Sequence, residues 1–271
     1  MGLLSLFQKK RPAGGCSAII VAAGSARRME GIDKMLAPLG ELPVLVHTLS
    51  AFQDCDLVDE IVVVTREDLL VEVSRLCRDF SLDKVTKVIV GGAERMDSVR
   101  AGLREIRPDA QLAAIHDGAR PLVPQQVLRQ AIQRAAETCA AAPAVPVTDT
   151  VKRAEGDLAA ETLDRSVLRA VQTPQVFEAG LIRAALEKAA ADGEALTDDC
   201  AAVERLGMRV SLTPGSRENF KITTPFDLLV GEAVLEARAR GGAVNAHWTW
   251  IRRTPADRGP GADFGRGPDP L

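Results

Sequence analysis

The segment His116-Asp117-Gly118-Ala119-Arg120-Pro121 contains residue types that bind a metal ion and phosphates. A carboxylate such as that of Asp117 is a hard oxygen ligand for Mg²⁺, and an arginine such as Arg120 holds phosphate oxygens through two parallel hydrogen bonds. The glycine at 118 lets the backbone approach a ligand closely. The alternative is a strand-end turn in which Asp117 serves only as a cap, because Asp and Gly are common turn residues.

A second candidate site begins at the end of the apolar run 18–22. Four small residues stand there, and their backbone N–H groups are open to a ligand: Ala22, Ala23, Gly24 and Ser25. Arg28 and Lys34 follow and can neutralise phosphates. The segment lacks both the G-x-x-x-x-G-K-[ST] loop and the three glycines of a dinucleotide fingerprint, so those two enzyme classes are disfavoured. A small-residue turn with solvated basic side chains is the alternative.

A third candidate site is the turn Gly91-Gly92-Ala93-Glu94, which precedes a segment whose apolar residues lie on one helical face. Two glycines followed by Ser98 at a helix start can seat a nucleotide, because the first N–H groups of a helix are free to bind an anion. The alternative is that Asp97 or Ser98 merely caps the helix.

These three sites follow apolar runs that are typical of strands buried on both faces. Four such runs are present, at 18–22, 61–64, 85–90 and 112–115. Segments with helical periodicity lie between them, at 44–52, 69–80 and around 99–106. The alternation predicts a doubly wound α/β fold, with a mostly parallel sheet and helices on both faces. Ligands bind outside the carboxyl ends of the strands in such sheets, so all three sites are expected at one sheet edge.

The second half of the chain repeats this pattern less regularly. It has an apolar run at 144–147, and helices are predicted at 125–139, 179–192, 198–206 and 225–240. The polar segment 148–175 is predicted to form a projecting β-hairpin arm, with strand-like pieces at 150–153 and 167–173 and a turn at 155–157. An ordinary surface hairpin is the alternative.

Composition excludes several classes of protein. With 34 basic and 37 acidic residues the net charge is −3, so no basic field for nucleic acid is present. The five cysteines are scattered without a C-x-x-C pair, which favours a reduced, cytoplasmic protein. No apolar run is long enough for a membrane span, and the basic residues near the start follow the apolar ones, the reverse of a signal peptide. We predict a flexible segment at 1–15, a domain at 16–241 and a disordered tail at 242–271.

Seven motifs occur in an order that resembles the bacterial 2-C-methyl-D-erythritol 4-phosphate cytidylyltransferase family, over about residues 17–235. The motifs are A-A-G-S-A-R-R-M…D-K, G-G-A-E-R-x-D-S-V, H-D-G-A-R-P, D-T-V-K-R, D-R-x-x-L…Q-T-P-Q-x-F, T-D-D and N-F-K-I-T. The resemblance implies a reaction in isoprenoid precursor biosynthesis. In it, the phosphate of methylerythritol phosphate attacks the α-phosphorus of CTP, pyrophosphate leaves, and 4-diphosphocytidyl-2-C-methyl-D-erythritol forms.

The same resemblance implies roles for individual residues. Arg28 and Lys34 would stabilise the charge that builds on the α-phosphate, and Asp117 would hold the Mg²⁺ that bridges the CTP phosphates. No general base is implied, because the attacking phosphate is already an anion. The implied nucleotide-binding residues are Ala22, Ala23, Gly24, Ser25, Lys34, Gly92, Ser98, Asp117 and Gly118.

Arg165 and Lys221 would bind methylerythritol phosphate and complete the catalytic set. Four further substrate contacts are implied, at Arg120, Thr150, Thr173 and Thr197. In the family, the arm at 148–175 crosses to a second subunit. The resemblance therefore implies a homodimer in which Thr150 and Arg165 act in the partner's site. His116 is interpreted as structural.

Three positions depart from the most familiar family pattern: Ala26, Asp33 and Ala93. Many members carry an acid where Ala93 stands, which leaves Asp117 as the one expected metal ligand.

Two alternative functions remain open. The first is a cytidylyltransferase for ribitol 5-phosphate on the same scaffold, which the sequence Asp164-Arg165-x-x-Leu168 ahead of Gln172-Thr173-Pro174-Gln175 disfavours. The second is a nucleotide-binding regulator that has lost turnover. Retention of the complete set of charged candidate residues argues against the regulator, since binding alone would not need all of them.

Overall fold

The computed structural model of this chain describes residues 15–24 and 33–241. The chain divides into two compact units, residues 1–232 and 233–271, and the elements around the site all lie in the first. Except for Gly15, the predicted flexible segment at 1–15 lies outside the described residues, as does the predicted tail at 242–271. The predicted domain limits at 16 and 241 stay predictions.

Twelve strands are described, and eight of them form one sheet that is mostly parallel. In chain order they are β1 (Cys16–Val21), β2 (Pro38–Leu39), β3 (Leu42–Pro43), β4 (Glu60–Thr65), β5 (Val85–Val90), β6 (Leu112–Asp117), β7 (Ala140–Pro146), β8 (Lys152–Glu155), β9 (Leu158–Thr162), β10 (Arg169–Val171), β11 (Gln175–Glu178) and β12 (Ser211–Pro214). The large sheet runs β10-β7-β11-β6-β1-β4-β5, with β12 also paired to β7. The predicted fold class is confirmed.

Seven α-helices are described, and they lie where helical periodicity predicts them. They are α1 (Val44–Gln53), α2 (Leu70–Asp79), α3 (Arg95–Glu105), α4 (Gln125–Thr138), α5 (Ala179–Ala191), α6 (Asp199–Arg205) and α7 (Pro225–Ala239). Among the described helices, none combines the length and the apolar character needed to cross a membrane.

The helices cover both faces of the sheet. One buried apolar cluster contains residues of α1, α2 and α4, and a second contains residues of α3, α5 and α6. Ile20 of β1 belongs to the first cluster and Ile19 to the second, because successive side chains of a strand point to opposite faces. Both side chains are fully buried, which explains why β1 is apolar throughout.

The order of the central strands creates a crevice. β1 pairs in parallel with β4 on one side and with β6 on the other, so Val21 lies beside both Val64 and Asp117. The chain moves from β1 outward to β4 and β5, then returns to β6 on the opposite side of β1. Such a reversal is a topological switch point, where connections leave toward opposite faces and open a ligand-binding crevice.

The prediction that the run at 85–90 is buried on both faces is wrong. This run forms β5, an edge strand paired only with β4, and Val90 is 45% exposed. The polar residues Thr86 and Lys87 within the run fit an edge position. The sequence pattern also gives no sign of β11 and β12, since neither of these four-residue strands is apolar throughout like the runs at 61–64 and 112–115.

The polar segment 148–175 contains a hairpin, but its pairing differs from the prediction. β8 pairs with β9 around Gly156, whose φ of +58° suits glycine, and all residues of both strands are exposed. The second predicted strand-like piece, at 167–173, instead supplies β10, which pairs with β7 of the main sheet. The role of this hairpin as a dimerisation arm stays a prediction.

Candidate active site

A cavity of about 340 Å³ opens at the carboxyl ends of β1 and β6. The three sites predicted from the sequence meet there, as the switch point requires. Seven of the predicted site residues line it: Ala23, Gly24, Lys34, Gly92, Ser98, Asp117 and Lys221.

Lys34 reaches this cavity from a turn that begins at Asp33. The Asp33 carboxylate Oδ1 accepts a hydrogen bond from the Met35 backbone N–H at 2.8 Å. The Asp33 carbonyl accepts two more, from Leu36 N at 3.1 Å and Ala37 N at 2.9 Å. Hydrogen bonds from an Asp side chain to the backbone two residues on are typical of Asx turns. The residues on the carboxyl side of Lys34 are therefore anchored to Asp33.

The turn at Gly91-Gly92 packs too closely for larger residues. A Cβ atom on Gly92 would lie 2.2 Å from Asp97 Cβ, and one on Gly91 would lie 2.6 Å from Ser98 Oγ. Ser98 Oγ accepts a hydrogen bond from Gly92 N at 3.1 Å, so this hydroxyl holds the turn against α3. Asp97 supplies part of the helix cap by accepting from Glu94 N at 3.4 Å.

Among the acidic residues that line the cavity, Asp117 has the most strongly shifted pKa. Its Oδ2 lies 3.1 Å from Lys221 Nζ and 3.2 Å from Arg120 Nε, and its Oδ1 lies 3.7 Å from Arg95 Nε. Burial opposes ionisation of this carboxyl, but the charges of Lys221, Arg95 and Arg120 outweigh burial and hold the pKa of Asp117 well below its usual range. Asp117 is therefore a carboxylate at neutral pH.

The donor set around Asp117 is small for a metal site. Among residues 15–24 and 33–241, no group of three or more His, Cys, Asp or Glu side chains could hold a metal ion. A single ionised carboxylate nevertheless suits Mg²⁺, which retains waters and takes further oxygen ligands from substrate phosphates. Asp117 fits such a shared site.

Arg95 is a cavity residue to which the sequence interpretation assigned no role. Its Nη1 and Nη2 donate to the two carboxylate oxygens of Asp199 at 2.9 and 2.7 Å, and Asp199 is only 1% exposed. Gln175 Oε1 accepts from Asp199 N and so orients the start of α6. Arg95 belongs to the motif G-G-A-E-R-x-D-S-V and Asp199 to the motif T-D-D. Only the fold shows that the two side chains meet.

Thr173 and His116 form a buried link behind the Asp117 carboxylate. Thr173 Oγ1 accepts from Asp117 N at 3.1 Å and lies 3.0 Å from His116 Nδ1. His116 Nε2 lies 3.2 Å from the Arg120 carbonyl, which only accepts, so Nε2 carries the proton and Nδ1 accepts from the Thr173 hydroxyl. Burial lowers the pKa of His116 to about 4, in keeping with this neutral form and with a structural role.

The Thr173 hydroxyl is thus engaged within the protein, and Thr173 is 5% exposed. Its contact with substrate stays a prediction.

Three predicted residues, Arg120, Gly118 and Ala22, are absent from the described lining of the cavity and bond to other parts of the protein. Arg120 Nη1 donates to the Asn219 carbonyl at 2.8 Å, which ties the turn after β6 to the segment that carries Lys221. The Gly118 carbonyl accepts from Thr48 Oγ1 at 2.8 Å. Ala22 is fully buried and donates its N–H to the Val64 carbonyl.

Other predicted residues are not brought to the cavity within one chain. Thr150, Arg165 and Thr197 are exposed and lie outside its described lining, and the Arg165 guanidinium donates to the Thr148 carbonyl. Ser25 and Arg28 lie outside the described residues. For Thr150 and Arg165 this placement leaves open a role in a partner's site.

Comparison with known proteins identifies relatives across most of the chain. The family model for 2-C-methyl-D-erythritol 4-phosphate cytidylyltransferase matches residues 16–237. The enzyme of that name from Halalkalibacterium halodurans is 43% identical over 225 residues, covering 83% of this chain and 98% of the relative. That of Symbiobacterium thermophilum is 46% identical over 226 residues, covering 83% and 94%.

Comparison with solved structures gives the same family. The 4-diphosphocytidyl-2C-methyl-D-erythritol synthase of Anaerococcus prevotii superposes with a TM-score of 0.74 at 29% identity, covering 83% of this chain and 98% of that one. The 2-C-methyl-D-erythritol 4-phosphate cytidylyltransferase of Thermus thermophilus gives a TM-score of 0.68 at 31% identity, covering 82% and 99%. On the strength of these matches, this chain belongs to the 2-C-methyl-D-erythritol 4-phosphate cytidylyltransferase family.

Proposed function

We propose that this cavity transfers a cytidylyl group from CTP to 2-C-methyl-D-erythritol 4-phosphate and releases pyrophosphate. The observation that carries the proposal is the meeting of Lys34, an ionised Asp117 and Lys221 in one cavity at the switch point. The nucleophile is a phosphate and needs no base, so catalysis depends on holding two anionic substrates together and on stabilising charge at the α-phosphorus. Preorganised cations supply that stabilisation.

The nucleotide occupies the side formed by Ala23, Gly24 and the Gly91-Gly92 turn. Small residues there leave backbone N–H groups accessible, which suits a base and ribose held against the main chain. Lys34 lines the same cavity. We infer that it acts on the α-phosphate, and the family resemblance assigns the same role to Arg28.

Mg²⁺ is proposed as the cofactor, held by Asp117 and the CTP phosphates. When bound, the ion neutralises charge on the phosphates and makes pyrophosphate a better leaving group. Asp117 is suited to this role because its surrounding cations keep it ionised.

The second substrate binds on the Lys221 side. Lys221 lines the cavity beside Asp117, and we propose that it attracts the phosphate of this substrate. Arg120, Thr173 and Thr197 are the further proposed contacts. We propose that Thr150 and Arg165 complete this side from a second subunit of a homodimer. Support comes from exposed apolar side chains on and after the hairpin, at Leu158 (76%) and Val167 (74%), which would gain from a protein partner. A cytoplasmic location also remains a proposal.

The test is turnover by the purified protein with CTP, Mg²⁺ and methylerythritol phosphate, followed as pyrophosphate release.

We expect Lys34→Ala to lower kcat by about a hundredfold or more, because a cation at the transferred group is lost, while CTP still binds in calorimetry. Unchanged turnover in Lys34→Ala would remove Lys34 from the mechanism. Absence of pyrophosphate release by the unaltered protein would contradict the proposed function itself.

A further inference from the structure

An ion pair anchors the start of the Lys34 turn to the central sheet. Arg66 directly follows β4, so it stands at the same sheet edge as the cavity. Its Nη1 lies 2.6 Å from Asp33 Oδ2, an ion pair that lacks the alignment of a hydrogen bond. The two side chains are only 27% and 16% exposed, so solvent screens this pair less than a pair on the open surface.

The guanidinium of Arg66 is itself oriented by a neighbour. Its Nε and Nη2 donate to the two carboxylate oxygens of Asp68 at 3.0 and 2.9 Å, which directs Nη1 toward Asp33. A bidentate pair of this kind fixes the plane of the guanidinium.

Asp33 connects this anchor to Lys34. While Oδ2 faces Arg66, Oδ1 holds the N–H of Met35, the residue after Lys34, at 2.8 Å. The Asp33 carbonyl holds the next two N–H groups. Arg66 is absent from the described lining of the cavity, so its influence on the site passes through Asp33.

We propose that Arg66 is a positioning residue that fixes Lys34 in its place at the transferred phosphate. The inference rests on the proposed function for the role of Lys34, whereas the geometry of the anchor does not depend on it. A displacement of about 1 Å in a catalytic group can cost about a hundredfold in rate, so a loosened turn would be visible in kcat.

The kinetic test compares Arg66→Ala, Arg66→Lys and the control Arg75→Ala. Arg75 pairs with Asp79 at 3.8 Å on the exposed surface of α2. Its removal therefore deletes another Arg–Asp ion pair, but one that is remote from the Lys34 turn in sequence. We expect Arg66→Ala to lower kcat by about tenfold or more while the KM for CTP changes by less than about twofold. Arg66→Lys keeps the positive charge but not the bidentate pair with Asp68, so it should recover only part of kcat, and Arg75→Ala should match the unaltered protein.

Hydrogen exchange gives a readout that needs no turnover. The amides of Met35, Leu36 and Ala37 should exchange faster in Arg66→Ala than in Arg66→Lys or Arg75→Ala, because their acceptor Asp33 is no longer held. If the unaltered protein proves inactive, the proposed function fails while this exchange comparison still decides whether Arg66 holds the turn.

Three outcomes would overturn the proposal: wild-type kcat and exchange in Arg66→Ala, a loss confined to the KM for CTP, or a defect in Arg75→Ala equal to that in Arg66→Ala.

Discussion

Asp117 keeps its negative charge because Lys221, Arg120 and Arg95 surround it. Before substrates arrive, this single carboxylate in turn supplies a counter-charge to the three cations. Two anionic substrates and a divalent ion would then enter a site whose charges are already in place, which lowers the cost of reorganisation during the reaction.

Residue types and motif order were enough to predict most of the cavity lining, since Lys34, Gly92, Asp117 and Lys221 all meet there. The pair Arg95–Asp199 was not predictable, because its members are 104 residues apart and only the tertiary fold brings the starts of α3 and α6 together. The two hydrogen bonds of the Thr173 hydroxyl, with Asp117 and His116, were not predictable either, since burial of a threonine in a polar motif has no signal in the local sequence.

His116 predicts a pH dependence of stability. Its native pKa of about 4 lies below the ordinary value near 6.5, so between these values the unfolded chain binds a proton that the native protein does not. The contribution is complete above pH 6.5 and is lost as the pH falls toward 4, so the free energy of unfolding should drop by about 2 kcal/mol between pH 7 and pH 5. Urea unfolding at both pH values measures it.

The matched variants for this measurement are His116→Gln, which cannot titrate, and His47→Gln, which keeps His116. The pH-dependent loss should be smaller in His116→Gln and persist in His47→Gln. Equal losses in all three proteins would show that His116 is not the responsible group.

Among the elements, the start of α6 connects β11 to the cavity residue Arg95 through hydrogen bonds. Asp198 Oδ1 accepts from Ala201 N at 3.0 Å as the helix cap, and its Oδ2 accepts from Gln175 Nε2 at 2.8 Å. Gln175 in turn holds the N–H of Asp199, the partner of Arg95. The short strand β11 and the cavity are connected by this chain of hydrogen bonds.

We therefore expect Asp198→Ala to lower the free energy of unfolding by about 2 kcal/mol, about half from the lost cap and half from the unpaired amide of buried Gln175. Glu178→Ala is the control, because Glu178 caps α5 through Gly180 N and Leu181 N at an exposed position. It should cost only about 1 kcal/mol. Urea unfolding at one protein concentration gives both values. If Asp198→Ala lowers the free energy of unfolding no more than Glu178→Ala does, the hydrogen bond from Asp198 to Gln175 adds no stability.

Hydrophobic pattern predicted the central strands because burial on both faces makes them apolar throughout. It predicted the described α-helices because one buried face gives a helical period of apolar residues. The hydrophobic pattern did not predict strand positions at the edges of the sheet. The run at 85–90 looks like a buried strand yet forms the edge strand β5, since an apolar run does not say how many neighbours a strand has. The segment at 167–173 joins β7 rather than the hairpin, because strand pairing is set by tertiary packing.

At the scale of the whole molecule, the shared active site can be tested by mixing two inactive variants. In a dimer formed from Lys34→Ala and Arg165→Ala subunits, a site that borrows Arg165 from the partner is intact in one of two positions. Random mixing after unfolding and refolding should therefore restore up to about a quarter of wild-type activity, since half of the dimers are mixed. Pyrophosphate release before and after mixing measures the recovery.

Refolding of each variant alone is the control and should give no activity. No recovery in the mixture, although wild-type protein refolds fully, would place Arg165 in the site of its own chain.

The most direct test of the central claim is a comparison of two sugar-alcohol phosphates under identical conditions. Purified protein with CTP and Mg²⁺ is given either methylerythritol phosphate or ribitol 5-phosphate, and kcat/KM is measured from pyrophosphate release, with the product identified by mass. Methylerythritol phosphate should give the larger kcat/KM and should form 4-diphosphocytidyl-2-C-methyl-D-erythritol. A larger kcat/KM with ribitol 5-phosphate would contradict the proposed function.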